Sequence, residues 1–220
     1  MDAHDWLGVI GALIVSVGAI YYLYDIVWGQ TRPHRVTWAV WTCIGVLGFG
    51  VTDSAGAGPG AYVAGVYTVA YIVTFLLSMT RKYGKPGVRP SDIALGVVAL
   101  AGVGLWRFGG LGDTPAAALA IVCDAAAVWP TLREAWLQPH SESLPTWSAD
   151  VVGSALGVAA VTNASFAANA YPAYLLVANA LVLAALLGGR SRIKAARRRA
   201  VESAPLTVPP GSGRLEVTGE

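Results

Sequence analysis

Charge is scarce in this chain. Only 13% of its 220 residues are Asp, Glu, Lys or Arg, about half the share usual in a soluble domain. Cysteine is scarcer still. Cys43 and Cys123 both lie inside apolar runs, without the spacing of a disulfide framework or a metal site, and read as small apolar-run residues. His-Glu-x-x-His, Gly-x-Ser-x-Gly, a phosphate loop and Cys-x-x-Cys are all missing. Their absence argues against the common zinc-hydrolase, serine-hydrolase, nucleotide-binding and dithiol chemistries, so no enzyme, cofactor or metal site is expected. The last apolar run has no lysine before Lys194, which disfavours a retinal Schiff base. Period-2 alternation is absent, so a transmembrane barrel is not expected. A cleaved signal peptide is not expected either, because Asp2 and Asp5 precede the first apolar run and no basic residue does. Net charge is +2, and no nucleic-acid partner is expected.

What is present is hydrophobic. Residues of apolar type make up 55% of the chain, and mean hydropathy is +0.56. They gather in runs of about 17–22 residues, the length that crosses a bilayer core as a helix. The runs predict seven spans: Trp6–Val27, Thr37–Val51, Ala61–Met79, a short one over Ile93–Phe108, Pro115–Trp136, Pro145–Ala160 and Pro172–Leu187. Arg32 and Arg35, then Arg81, Lys82, Lys85 and Arg89, then Arg133, then Arg190 to Arg199 and Arg214 all fall on one side of such a layout. Only Arg107 falls on the other. The positive-inside rule then predicts an outer N-terminus and a cytoplasmic C-terminus, for a multi-pass protein of the inner (cytoplasmic) membrane.

The elbow after the first span is copied about a hundred residues later. Aligned on Trp28 and Trp136, Gln30 meets Gln138, and with one inserted residue Thr37-Trp38 meets Thr146-Trp147. Tyr62 and Tyr67 in the third span have the spacing of Tyr174 and Asn179 in the seventh. The expected organisation is a first three-helix repeat over 1–80 and a loop with linker helix over 81–112. A second repeat follows over 113–189, then a basic and finally disordered tail over 190–220. A single linker helix restores the direction of travel, so the repeats are parallel, around an axis along the membrane normal.

Polar residues inside spans are the candidates for chemistry. Asp124 lies near the middle of the fifth span, where a carboxylate costs a few kcal/mol on insertion scales. It is therefore expected to face a cavity or another helix, as a proton-exchanging acid, a solute ligand or a helix–helix hydrogen bond. Tyr67 and Asn179 lie at mid-depth and are candidate solute ligands or interhelical bonds. Trp41 and Asp150 lie one turn deeper in their helices and are further candidate solute ligands; Asp150 is expected to face an inner vestibule or bond to the elbow. Pro130 removes a helical hydrogen bond and is a candidate hinge. Pro33, Pro145 and Pro172 read as helix starts. Asp25 with Arg32 and Arg35, and Arg133 with Glu134, are candidate inner-gate pairs. Trp38 and Trp147 read as interfacial anchors, His34 and His140 as solvent-exposed elbow residues, and Asn163 and Asn169 as outer loop residues.

The elbows, the proline of the fifth span and the three-one-three layout together resemble the PQ-loop/SWEET superfamily of small-solute transporters. Asp25 to Trp38 and Asp124 to Trp147 look more closely like a group of bacterial seven-helix membrane proteins beside it. Typical members carry Pro-Gln at the inner end of the first helix of each triplet. Here Tyr21-Tyr22 and Pro130-Thr131 stand there. The family's central asparagines map to Tyr67 and Asn179. The resemblance implies a transporter or facilitator of a small polar, sugar- or amino-acid-like solute, by alternating access between two triplets, with proton coupling through an acid such as Asp124. A homo-oligomer in the lipid bilayer is expected. The alternatives are a non-transporting sensor or scaffold acting through the basic tail and, less favoured, an intramembrane enzyme using Asp124 and Asp150.

Overall fold

The computed structural model describes residues 1–84, 87 and 90–203. Lys85 and Arg89 of the orientation argument, Arg214 and the tail expected to be disordered beyond Ser203 lie outside the described residues. Among the described residues seven α-helices form the fold: α1 Ala3–Val27, α2 Arg35–Ser54, α3 Ala61–Ser78, α4 Pro90–Phe108, α5 Asp113–Leu137, α6 Leu144–Ala159 and α7 Phe166–Ser203. A single 3-10 turn, Gly58–Gly60, leads into α3. No strand occurs among the described residues.

Five of these helices are long and apolar enough to cross a membrane: α1, α2, α3 with its leading turn, α5 and α7. The seven-span expectation was broader. α6 has only 16 residues, short of the roughly 20 that span a bilayer, and in α4 the apolar part is Gly96–Phe108. The surface is that of a membrane-embedded protein. Along α1, Ile10, Leu13, Val17, Ile20 and Tyr24 recur at three- and four-residue steps, and all are exposed. Asp124, Asp150, Ser154 and Asn179 are buried. Apolar out and polar in is the reverse of a water-soluble fold.

Local chemistry fixes the helix ends. Asp2 and Asp5 form a reciprocal capping box at the start of α1, each accepting from the other's backbone N–H at 2.9 Å. Just past the end of α1, Gly29 takes φ +75°, the left-handed conformation glycine adopts without strain. The chain turns there into the first elbow. Pro145 sits in the first turn of α6, where the missing N–H is harmless. Pro172 departs from expectation: it lies inside α7, which starts at Phe166. The basic run Arg190–Arg199 is part of the same helix.

Within the first three helices, α3 packs against both α1 and α2. Within the last three, α7 packs against both α5 and α6. Across the molecule α1 meets α6 and α2 meets α5, while α4 covers α2 and α5. The α1–α6 seam is close because it is built from glycine. A Cβ placed on Gly11 would lie 2.9 Å from the carbonyl oxygen of Gly153, and one on Gly153 would lie 2.8 Å from that of Gly11. At the end away from the elbows, Asn163 Nδ2 donates to Ala55 O at 2.7 Å and Thr162 N to Ala57 O at 3.2 Å. These bonds tie the α6–α7 turn to the α2–α3 turn.

Candidate functional site

A cavity of about 550 Å³ opens between the two elbows and runs inward between the helices. Its mouth is formed by Thr31 to His34 of the first elbow, Pro130, Thr131 and Glu134 of α5, and Ser141 to Ser143 of the second elbow with Thr146 and Trp147 of α6. Its floor holds Tyr67, Asp124, Asp150 and Asn179. Each of these four is at most 8% exposed, although none is adjacent to another in sequence.

Two hydrogen-bonded groups make the floor. In the first, Asn179 Nδ2 donates to Tyr67 Oη at 2.9 Å and to Ser154 Oγ at 3.1 Å. Tyr67 Oη lies 3.1 Å from Ser154 Oγ and donates to the Asp150 carbonyl at 3.3 Å. This ties α3, α6 and α7 together at one depth. In the second, Tyr171 Oη donates to Asp124 Oδ2 at 3.3 Å, joining α7 to α5. Tyr171 is 1% exposed, and its ring lies directly against Gly48 of α2, where any Cβ would collide with it. Asp124 lines the cavity and Tyr171 does not, so this bond ties the cavity floor to the helix packing behind it.

An aromatic wall runs from the mouth toward the floor. Trp38 meets Tyr22 at 5.3 Å between ring centroids and Trp41 edge-on at 5.0 Å. Trp41 stacks on Tyr71 at 5.8 Å, and Tyr71 on Tyr67 at 6.0 Å. Offset and edge-on rings at these separations attract one another beyond the area they bury. The wall is therefore stiff. Among the described residues, Trp41 Nε1 and Tyr174 Oη are buried without a hydrogen-bond partner.

The residues singled out in the sequence divide in two. Tyr67, Asp124, Asn179, Trp41 and Asp150 all line the one cavity, as does Pro130, whose α5 continues unbroken through it. Proline cannot donate to the carbonyl four residues back, and that residue, Ala126, also lines the cavity. Of the gate set, Arg32 and Glu134 line the mouth, and Asp25 and Arg133 do not. The expected gate pairs are not formed. Among the described residues the one ion pair is Arg198 with Glu202, at 2.7 Å on the exposed end of α7. Arg35 Nε instead donates to Ser78 O at 2.8 Å and Arg32 Nη2 to Lys82 O at 3.3 Å. Carbonyls at and beyond the end of α3 have no helical partner, and that end of the helix dipole draws cations. Backbone thus outcompetes Asp25 for both guanidinium groups. The second elbow repeats the device. Arg190 Nε donates to Pro139 O at 3.2 Å, and Arg192 Nη2 to Trp136 O at 3.0 Å.

Trp38 and Trp147 are a further correction, because both line the cavity rather than anchor an interface. Trp147 Nε1 donates to Glu142 Oε2 at 3.0 Å. Burial at the elbow pushes the Glu142 carboxyl up to about 7, an effect that this N–H opposes and neighbouring Glu134 reinforces. His34 is half-buried at the mouth, 3.3 Å from Thr37 Oγ1, whereas His140 is exposed. Asn163 lies in the α6–α7 turn, but Asn169 is already within α7. Among the described residues no three His, Cys, Asp or Glu side chains gather as a metal site. Sequence reasoning missed Tyr71, Ser154 and Tyr171. The first two had a signal, since Tyr71 follows Tyr67 by four residues and Ser154 follows Asp150 by four, the spacing of one helix face.

No protein-family model matches the chain, and no curated protein or solved structure matches it.

Proposed function

We propose that the chain is a carrier for a small polar solute, held here with its cavity open toward the elbows. The observation that carries this reading is the cavity itself. It is wide enough for a metabolite and floored by polar groups buried in an apolar protein. Water-filled polar pockets at mid-depth are where membrane carriers hold their cargo. A purely structural role for Asp124 would need only one hydrogen bond, with no cavity beside it.

The packing pattern supports two like-oriented triplets. Exchanging α1 with α5, α2 with α6 and α3 with α7 leaves the main contacts unchanged: α3 and α7 each pack on both partners in their triplet, and α1–α6 exchanges with α2–α5. In this reading α4 is the linker and all seven helices cross the inner (cytoplasmic) membrane. The N-terminus lies outside and the arginine-rich elbows inside. Rocking of the triplets, with Pro130 as the flexing point of α5, closes the elbow side and parts the Tyr171 side. Asp124 is the group through which a proton gradient would couple. The resemblance to PQ-loop/SWEET-like transporters points the same way.

The test is uptake of a panel of labelled small solutes into proteoliposomes, with and without an imposed proton gradient. Wild type is compared with Asp124→Asn and Asn179→Ala. At least one solute should accumulate or equilibrate, with loss of about tenfold or more in each variant, of the size seen when a buried hydrogen-bonding partner is removed from a ligand site. No movement of any panel solute would defeat the reading. The sensor or scaffold alternative has one observation in its favour, the continuation of α7 to Ser203 with Arg197, Arg198 and Arg199 exposed. Removing residues 197–220, which spares Arg190 and Arg192 at the second elbow, should leave uptake intact if the carrier reading is right.

A further inference from the structure

The charge balance of the cavity narrows its ligand. Among the described residues four carboxyl groups line it, those of Asp124, Glu134, Glu142 and Asp150, against one guanidinium, that of Arg32. Arg32 stands at the mouth with its guanidinium committed to the Lys82 carbonyl, and His34 is also at the mouth. Among the described residues no Lys, Arg or His belongs to the floor. The wall of Trp38, Trp41, Tyr71 and Tyr67 lines the same cavity, and Tyr71 stands within electrostatic reach of both Asp124 and Asp150. Carboxylates and aromatic π surface attract the same kind of ligand, since both present negative potential to the void.

From this arrangement we infer that the cavity takes an organic monocation, an amine or quaternary ammonium that carries no carboxylate of its own. The inference rests on the carrier reading of the same cavity and names its substrate class. An amino-acid zwitterion would bring its carboxylate to a floor with no cationic partner, already lined by Asp124 and Asp150. A neutral sugar would leave both buried acids holding their protons, as hydrogen-bonding groups only, and would offer the aromatic wall no charge to attract. A compact cation offsets that charge and lies against the rings. The hydroxyls of Tyr67 and Ser154 remain available for one polar group on the same ligand.

The experiment uses the full chain and three probes of similar size: choline, its uncharged isostere 3,3-dimethylbutan-1-ol, and glycine betaine, which adds a carboxylate. Thermal stabilisation of the purified protein reads binding, because a ligand of the native state raises apparent stability. Proteoliposome uptake reads transport. Choline should bind at least about tenfold more tightly than the other two, and Tyr71→Leu should weaken it by about tenfold, the worth of one well-placed cation–π contact. Tyr71→Phe should keep choline binding, since it retains the π face and loses only the hydroxyl. Should Tyr71→Leu fail to fold, the probe comparison on wild type and Tyr71→Phe decides the matter. Equal binding of dimethylbutanol, preference for glycine betaine, failure of choline to bind, or unaltered choline binding by a folded Tyr71→Leu protein overturns the cation assignment. Choline binding without uptake supports the assignment and overturns the carrier reading. Uptake of a hexose that choline neither binds against nor inhibits does the reverse.

Discussion

The half of the bundle near the elbows and the half beyond the cavity floor are built from the same helices by opposite means. Beyond the floor, α1 and α6 approach until Gly11 and Gly153 are in backbone contact, and Gly48 leaves just enough room for the Tyr171 ring. Without a hydrophobic drive between helices in lipid, such close packing of small residues is what holds them together. Toward the elbows, Tyr22, Trp38, Trp41 and Tyr71 prop the helices around an open space. The comparison separates two duties: small residues give cohesion in one half, and large rings preserve a void in the other. Adding side-chain volume should therefore have opposite consequences in the two halves.

The largest expected effect tests that contrast directly. Gly153→Leu forces a branched side chain into Val15 and the α1 backbone, and overpacking of this kind costs about 3 kcal/mol or more. Folded yield and melting temperature in detergent should fall sharply. Ala126→Leu adds the same kind of bulk to the cavity lining. It should leave stability within about 0.5 kcal/mol while reducing uptake. Similar losses of stability at both positions would break the comparison.

Next is Tyr171→Phe, which strips Asp124 of its donor at the border between the halves. Leaving a buried polar group unpaired costs about 1–3 kcal/mol, and thermal unfolding should show a loss of that order. The exposed Tyr62→Phe should change nothing measurable. Ser154→Ala is smaller, because Asn179 and Tyr67 keep their bond to each other at 2.9 Å. A loss of about 1 kcal/mol is expected, measured by the same unfolding transition.

The smallest effect belongs to the mouth and depends on pH. Glu142 has a carboxyl pushed up from 4.5 to about 7 by burial, so folding favours its protonated form. Its stabilising contribution is fully present below pH 4.5 and is lost as pH rises through about 7. The melting temperature of wild type should accordingly decline between pH 5 and about 8 relative to that of Glu142→Gln. A difference independent of pH would show that Glu142 does not titrate in this window.

Much of the helical layout was legible because hydrocarbon allows a long apolar run few other shapes. The floor was partly legible for the same reason: Asp124, Asp150 and Asn179 stand out as polar residues in apolar runs, and the structure brings them to one cavity. Tyr171 was not legible, since a tyrosine near a helix end reads equally well as an interface residue. Its neighbour in space, Gly48, is a hundred and more residues away in the chain. The gate pairs failed for a different reason. Opposite charges close in sequence invite pairing on paper, but helix-end carbonyls, which no sequence pattern displays, were the better partners for Arg32 and Arg35. Pro172 misled because a proline that begins a helix and one that sits two turns inside it carry the same letter.

The length of α7 has a mechanical consequence. Its 38 residues make a rod of about 57 Å at 1.5 Å per residue, and residues 190–203 alone extend about 21 Å. Arg190 and Arg192 fasten that projection to the second elbow, so it turns with the helices rather than hanging from them. A tilt of about 10° carries its tip some 4 Å, by the same rise per residue. A spectroscopic label near Ala200 would thus act as a pointer, enlarging movements too slight to follow inside the bilayer.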